Sequence, residues 1–181
     1  MSLKPHHLDN VLFTPEKIQS RIDGLVDEIS GGEKSDNLVM IGILRGSFMF
    51  LADLVRDLNA HDVHPRIDFI TLESYYGGTE SVGKVEIRKD IEVDVTGADV
   101  LLIDDILDTG RTLQFAVQHL FDKGARSIKT CTLLDKPARR IVDIEADHVG
   151  FAIDDVFVVG YGLDYDSYYR ELPFIAEVTF I

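Results

Sequence analysis

Asp104 and Asp105 are adjacent carboxylates, followed after two apolar residues by Asp108, Thr109, Gly110, Arg111 and Thr112. Carboxylates repel phosphate, so Asp104 and Asp105 call for sugar hydroxyls, a cation, or both. Thr109, Gly110 and Thr112 suit the opposite partner. Glycine lets the backbone approach an anion closely, and two threonine hydroxyls can donate to phosphate oxygens. A sugar phosphate offers hydroxyls and phosphate together.

Such groups need elements that hold them. Val100 to Ile103 is a short unbroken apolar run, the pattern of a strand buried on both faces of a parallel sheet. Beyond the polar loop, Leu113, Ala116, Val117, Leu120 and Phe121 recur at helical spacing until Lys123-Gly124. A loop from a strand's carboxyl end into a helix start presents backbone N–H groups to an anion.

The same strand, loop and helix unit recurs. Leu38 to Leu44 predicts a buried strand, then Arg45-Gly46-Ser47, then a helix from Phe48 to about Leu58. Thr14-Pro15 starts an earlier helix, with an apolar stripe of Ile18, Ile22, Leu25, Val26 and Ile29 ending at Gly31-Gly32. Ile67, Phe69, Ile70 and Leu72 mark a third strand. Ser74 to Ser81 is polar and glycine-rich, and Val85, Ile87 and Ile91 then alternate with polar residues, giving two strands joined by a long loop. Ile128 to Leu134 is a further parallel strand closed by Asp135-Lys136-Pro137, and Val149 to Tyr165 is the last apolar segment. This alternation predicts an α/β chain whose central, mostly parallel sheet is flanked by helices, with ligands at the strands' carboxyl ends.

Ile103 to Thr112 resembles the 5-phosphoribosyl-1-pyrophosphate motif of type I phosphoribosyltransferases, and its context is most similar to the hypoxanthine-guanine enzymes. The resemblance runs from about Leu12 onward, with five segments in family order. It implies Mg²⁺-dependent transfer of phosphoribose to N9 of hypoxanthine or guanine, forming IMP or GMP and pyrophosphate in purine salvage. Asp104 and Asp105 would hold the ribose hydroxyls or the metal. Asp108 would move a proton at purine N7, and the backbone from Asp108 through Thr109, Gly110 and Arg111 to Thr112 would grip the 5′-phosphate. Leu44-Arg45-Gly46 matches the pyrophosphate loop, with Arg45 where the family usually has lysine and often a cis peptide. Arginine keeps that charge but changes the donor geometry.

The resemblance also places Lys136 on the purine 6-oxo group, Phe157 stacked on the base and the Val158 backbone at its edge. Asp164 would lie near metal and pyrophosphate, and Arg170 would reach pyrophosphate. It makes residues 73–84 a mobile lid carrying Ser74 and Tyr75, and residues 150–181 a base-binding hood within one domain, 1–181. Val156 replaces the lysine common before the stacking aromatic, which keeps a xanthine-preferring enzyme as an alternative. A homodimer or homotetramer is implied as well.

Composition bounds the partners. The 181 residues carry 18 Lys plus Arg against 32 Asp plus Glu, a net charge of −14. That charge repels extended nucleic acid and anionic membrane, and so weighs against the other alternative, an RNA-binding regulator on the same fold. No stretch of about twenty apolar residues occurs, and the first ten residues lack a secretory apolar core. The single cysteine, Cys131, lies in an apolar run and reads as a buried strand thiol, so a reducing cytoplasm is the expected compartment. His6 and His7 read as a frayed terminus, and spacing offers no partner for His119 or His148.

Overall fold

The computed structural model describes residues 4–32, 35–75 and 84–181. Six strands form the main sheet: β2 (Leu38–Leu44), β3 (Arg66–Tyr75), β4 (Lys84–Lys89), β5 (Asp99–Leu107), β6 (Ser127–Asp135) and β7 (His148–Ala152). Their order is β4-β3-β2-β5-β6-β7, parallel throughout except where edge strand β4 runs antiparallel to β3. The central, mostly parallel sheet expected from the apolar runs is therefore present.

Side chains alternate across the central strands with period two. Leu101 and Ile103 of β5 pack with α1 (Pro15–Ser30) and α2 (Phe48–Ala60), whereas Val100 and Leu102 pack with α3 (Arg111–Asp122). Two cores thus sandwich one sheet. Thr14 caps α1 as expected, its hydroxyl accepting from the Lys17 N–H at 3.3 Å, with Pro15 at the first helical position.

β5 is longer than its apolar run predicts. Asp104 still pairs with Thr132 and Ile106 with Leu134, so the two aspartates sit inside the strand rather than in the loop after it. Backbone pairing is indifferent to side-chain polarity, and the apolar run marks only the part of the strand with packed neighbours.

A second, antiparallel sheet joins the chain ends in the order β1 (His6–Phe13), β9 (Ile175–Phe180), β8 (Val158–Val159). His6 is consequently not frayed: it pairs with Phe180, and its Nε2 lies 2.7 Å from the Tyr169 hydroxyl. His119 and His148 have partners too, Asp90 at 2.9 Å and Glu28 at 3.2 Å. Cys131 is fully buried in β6, where burial pushes its thiol well up. Of the expected lid at 73–84, Glu73 to Tyr75 end β3 and Lys84 begins β4. The stretch between lies outside the described residues.

Candidate active site

A cavity of about 320 Å³ opens at the carboxyl ends of β2 and β5. It gathers Leu44, Arg45, Gly46, Asp104, Asp105, Asp108, Thr109, Gly110, Thr112, Asp164 and Arg170. These come from four separate segments, and the sheet brings them together.

Strand periodicity sets the two carboxylates on opposite sides of β5. Asp104 continues the Val100, Leu102 row toward α3, and Asp105 continues the Leu101, Ile103 row toward the loop that enters α2. There Asp105 meets Gly46. A Cβ on Gly46 would lie 1.5 Å from the Asp105 Oδ2, and a Cβ on Gly162 would lie 2.2 Å from the Gly46 carbonyl oxygen. Three layers of chain touch here with no room for a methyl group. The Leu44–Arg45 peptide bond is cis, and Ser47, fully buried, ties the loop back by donating its hydroxyl to the Ile43 carbonyl at 2.6 Å.

Asp104 is only 5% exposed. Burial, reinforced by the neighbouring Asp105 charge, pushes its carboxyl well above the ordinary range. Burial also raises Asp105, where the Arg170 charge works in the opposite direction. Arg170 donates to the Gly162 carbonyl at 2.6 Å and pairs with Asp164 at 2.7 Å, so it links the C-terminal segment to the cavity. Two adjacent carboxylates lining one cavity are the oxygen donors a hard divalent cation takes. Among the described residues no cluster of three or more His, Cys, Asp or Glu could hold one unaided. A Mg²⁺ at this place would therefore draw its other ligands from substrate oxygens and water, as that ion commonly does.

The loop after β5 ends in Gly110, whose left-handed φ of +85° caps α3. The helix start faces the cavity with Thr109, Gly110 and Thr112, while Arg111 opens the helix itself. Ser74 reaches this end from β3, its hydroxyl 3.2 Å from that of Thr112. Asp108 is held by Arg139, whose Nε donates to its Oδ1 at 3.0 Å.

A phosphoribosyl transferase domain model matches residues 12–166. The chain belongs to the phosphoribosyltransferase family. It is 48% identical over 171 residues to the hypoxanthine-guanine phosphoribosyltransferase of Staphylococcus epidermidis, 94% of either chain, and 47% identical to that of Staphylococcus aureus. Solved relatives agree. A hypoxanthine phosphoribosyltransferase of S. aureus superposes with a TM-score of 0.88 at 46% identity, covering 95% of this chain and 92% of that one. A Bacillus anthracis hypoxanthine-guanine phosphoribosyltransferase gives 0.89 at 43%, covering 96% and 100%.

The remaining residues expected of a phosphoribosyltransferase are not among those that line this cavity. Lys136 is 8% exposed, not solvated as an isolated lysine would be, and donates from Nζ to the Val156 carbonyl at 2.6 Å. Phe157 presents a ring 42% exposed. Its edge is braced by Tyr165 and Phe180, with centroids 5.7 and 5.6 Å away and steep interplanar angles. Val158 is buried in β8. Val156, the departure from the family pattern, packs its side chain against the core and offers its carbonyl to Lys136. Tyr75 ends β3.

Sequence reasoning missed Arg139 and Arg140, Phe180, and the contact of Gly162 with Gly46. Local pattern carried no signal for them, because their partners are a carboxylate 31 residues away, backbone carbonyls, or another chain segment.

Proposed function

We infer that this protein is a hypoxanthine-guanine phosphoribosyltransferase of purine salvage, taking 5-phosphoribosyl-1-pyrophosphate and a 6-oxopurine to IMP or GMP and pyrophosphate. The observation that carries this reading is the one cavity in which two adjacent carboxylates, a loop at a helix start and two arginines converge, in a chain nearly half identical to curated enzymes of that name along almost its full length. We read core and hood as one catalytic domain, 1–181, working in the cytoplasm as a homodimer or homotetramer. No helix among the described residues is long and apolar enough to cross a membrane.

In the reaction the bond from C1′ of the ribose to pyrophosphate breaks and the bond from C1′ to N9 forms. The base loses one proton. Asp104 and Asp105 would hold the ribose hydroxyls, directly or through Mg²⁺, and Asp164 would lie near the metal and pyrophosphate. When bound, Mg²⁺ supplies positive charge to the departing pyrophosphate. The backbone amides from Asp108 to Thr112 take the 5′-phosphate. Arg45, the Gly46 amide and Arg170 face the leaving group, where negative charge develops. Asp108 moves the proton at N7. On the base, Phe157 stacks, the Val158 backbone pairs with the edge, and Lys136 donates to the 6-oxo oxygen. That last contact disfavours a 6-amino group, which has no acceptor to offer in that position. Ser74, its hydroxyl 3.2 Å from that of Thr112, borders the site at the end of β3.

Mixing the protein with hypoxanthine and 5-phosphoribosyl-1-pyrophosphate should yield IMP by mass spectrometry when Mg²⁺ is present. EDTA in excess should abolish the product and added Mg²⁺ restore it. Undiminished IMP in EDTA would remove the metal from Asp104 and Asp105, and no IMP under either condition would remove the assigned activity.

A further inference from the structure

Behind the phosphate loop lies a short strap, the 3₁₀ turn Pro137–Arg139 continued by Arg140, Ile141 and Val142. The Arg140 side chain is 16% exposed and lies against the back of Leu107 to Thr109. Its Nη1 donates to the Leu107 carbonyl at 3.1 Å and to the Asp108 carbonyl, while Nη2 donates to the Asp135 carboxylate. The strap's own backbone takes the next carbonyl in line: the N–H groups of Ile141 and Val142 both donate to the Thr109 oxygen, at 3.0 and 3.3 Å. Lys136 adds its N–H to Leu107 at 3.0 Å. Three successive carbonyls are thereby turned to the strap.

A trans peptide places the C=O of one residue and the N–H of the next on opposite sides of the chain. These three peptides are trans, the cis bond at Leu44–Arg45 being elsewhere. Fixing the carbonyls of Leu107, Asp108 and Thr109 toward the strap therefore fixes the N–H groups of Asp108, Thr109 and Gly110 toward the other side, the cavity side. Together with the first amides of α3 they form a concave row of donors suited to a phosphate.

We propose that Arg140 is a positioning residue for the phosphate cradle: its planar guanidinium, anchored by Asp135, holds two carbonyls of the loop so that the opposite amides face the 5′-phosphate. Lysine cannot take this place, since one ammonium on a flexible stem cannot bridge two carbonyls and a carboxylate in the plane of a fork. The proposal rests on the phosphoribosyltransferase reading. The effect belongs to the phosphorylated substrate and not to the base, because Arg140 touches no residue assigned to the base apart from the backbone of Asp108.

The test is steady-state kinetics of Arg140→Gln and Arg140→Lys beside Asp135→Asn and wild type, with melting temperatures for all four. R140Q and R140K should raise KM for 5-phosphoribosyl-1-pyrophosphate at least about tenfold, given the sensitivity of such sites to misplacement by about 1 Å, with KM for hypoxanthine within about twofold. D135N keeps the guanidinium's hold on the carbonyls and should shift the same KM less than R140K does. R140K serves where R140Q fails to accumulate. Equal shifts in both KM values, no shift, or a larger effect from D135N would reduce Arg140 to a structural ion pair and overturn the inference. A wild type without pyrophosphate release would overturn the substrate reading and the inference with it, whereas an active wild type with unaltered R140K overturns the inference alone.

Discussion

Asp108→Asn lowers turnover by about a hundredfold to ten-thousandfold, the span that a positioned proton-transfer group typically contributes. KM for both substrates stays within about threefold, because the lost group acts on the proton in the transition state and not on ground-state binding. In the role proposed for Asp108, this substitution isolates the chemistry. Asp108 sits half-buried at the mouth of the cavity with Arg139 on its Oδ1, and an amide oxygen in the same place still accepts from that guanidinium. Its main-chain carbonyl remains in the grip of Arg140. What asparagine cannot do is take the proton. Steady-state kinetics with hypoxanthine and both substrates varied decides the matter: comparable losses in kcat and in either affinity would make Asp108 a binding residue.

Gly46→Ala should be nearly as damaging by a different route. The added methyl would stand 1.5 Å from the Asp105 Oδ2 and 2.3 Å from its Cγ, well inside any real contact. Asp105 is fixed in a strand of the central sheet, and the far side of Gly46 is closed by Gly162, whose own Cβ position is 2.2 Å from the Gly46 oxygen. The loop must shift bodily, carrying Arg45 with it and pushing the carboxylate out of its place in the cavity. Displacing catalytic groups by about 1 Å commonly costs about a hundredfold, so kcat/KM for 5-phosphoribosyl-1-pyrophosphate should fall at least that far. Circular dichroism and the melting curve should show a folded protein, since the loop ends at the surface in the exposed Arg45. Activity within about threefold of wild type would mean that the loop and Asp105 need not touch.

The parts of this architecture that could be read from sequence are those whose signal is local. β2 and the first half of β5, Val100 to Ile103, are unbroken apolar runs because both of their faces meet helices. The phosphate loop is legible because its chemistry needs small and hydroxyl residues beside a glycine. β1 was not legible: His-His-Leu-Asp-Asn-Val-Leu-Phe is largely exposed, and its pairing partner is β9, with His6 opposite Phe180. Nothing within a window of ten residues records such a bond. The burial of Asp104 was hidden for a related reason, since a carboxylate at a strand end looks the same in sequence whether the strand stops before it or runs on. Lys136 illustrates the limit from the other side. An isolated lysine reads as solvated, and only the return of the Val156 segment across the strand end encloses it. The family resemblance assigned the site residues where local patterns could not, but it passed over Arg139 and Arg140.

Pyrophosphate release with 5-phosphoribosyl-1-pyrophosphate and Mg²⁺, measured in parallel for hypoxanthine, guanine, xanthine, adenine and uracil, tests the central claim most directly. The account predicts rapid release with hypoxanthine or guanine and none with adenine, because Lys136 can donate only to an oxygen at the 6-position. Release with adenine or uracil as the preferred base, or silence with all five, would contradict it.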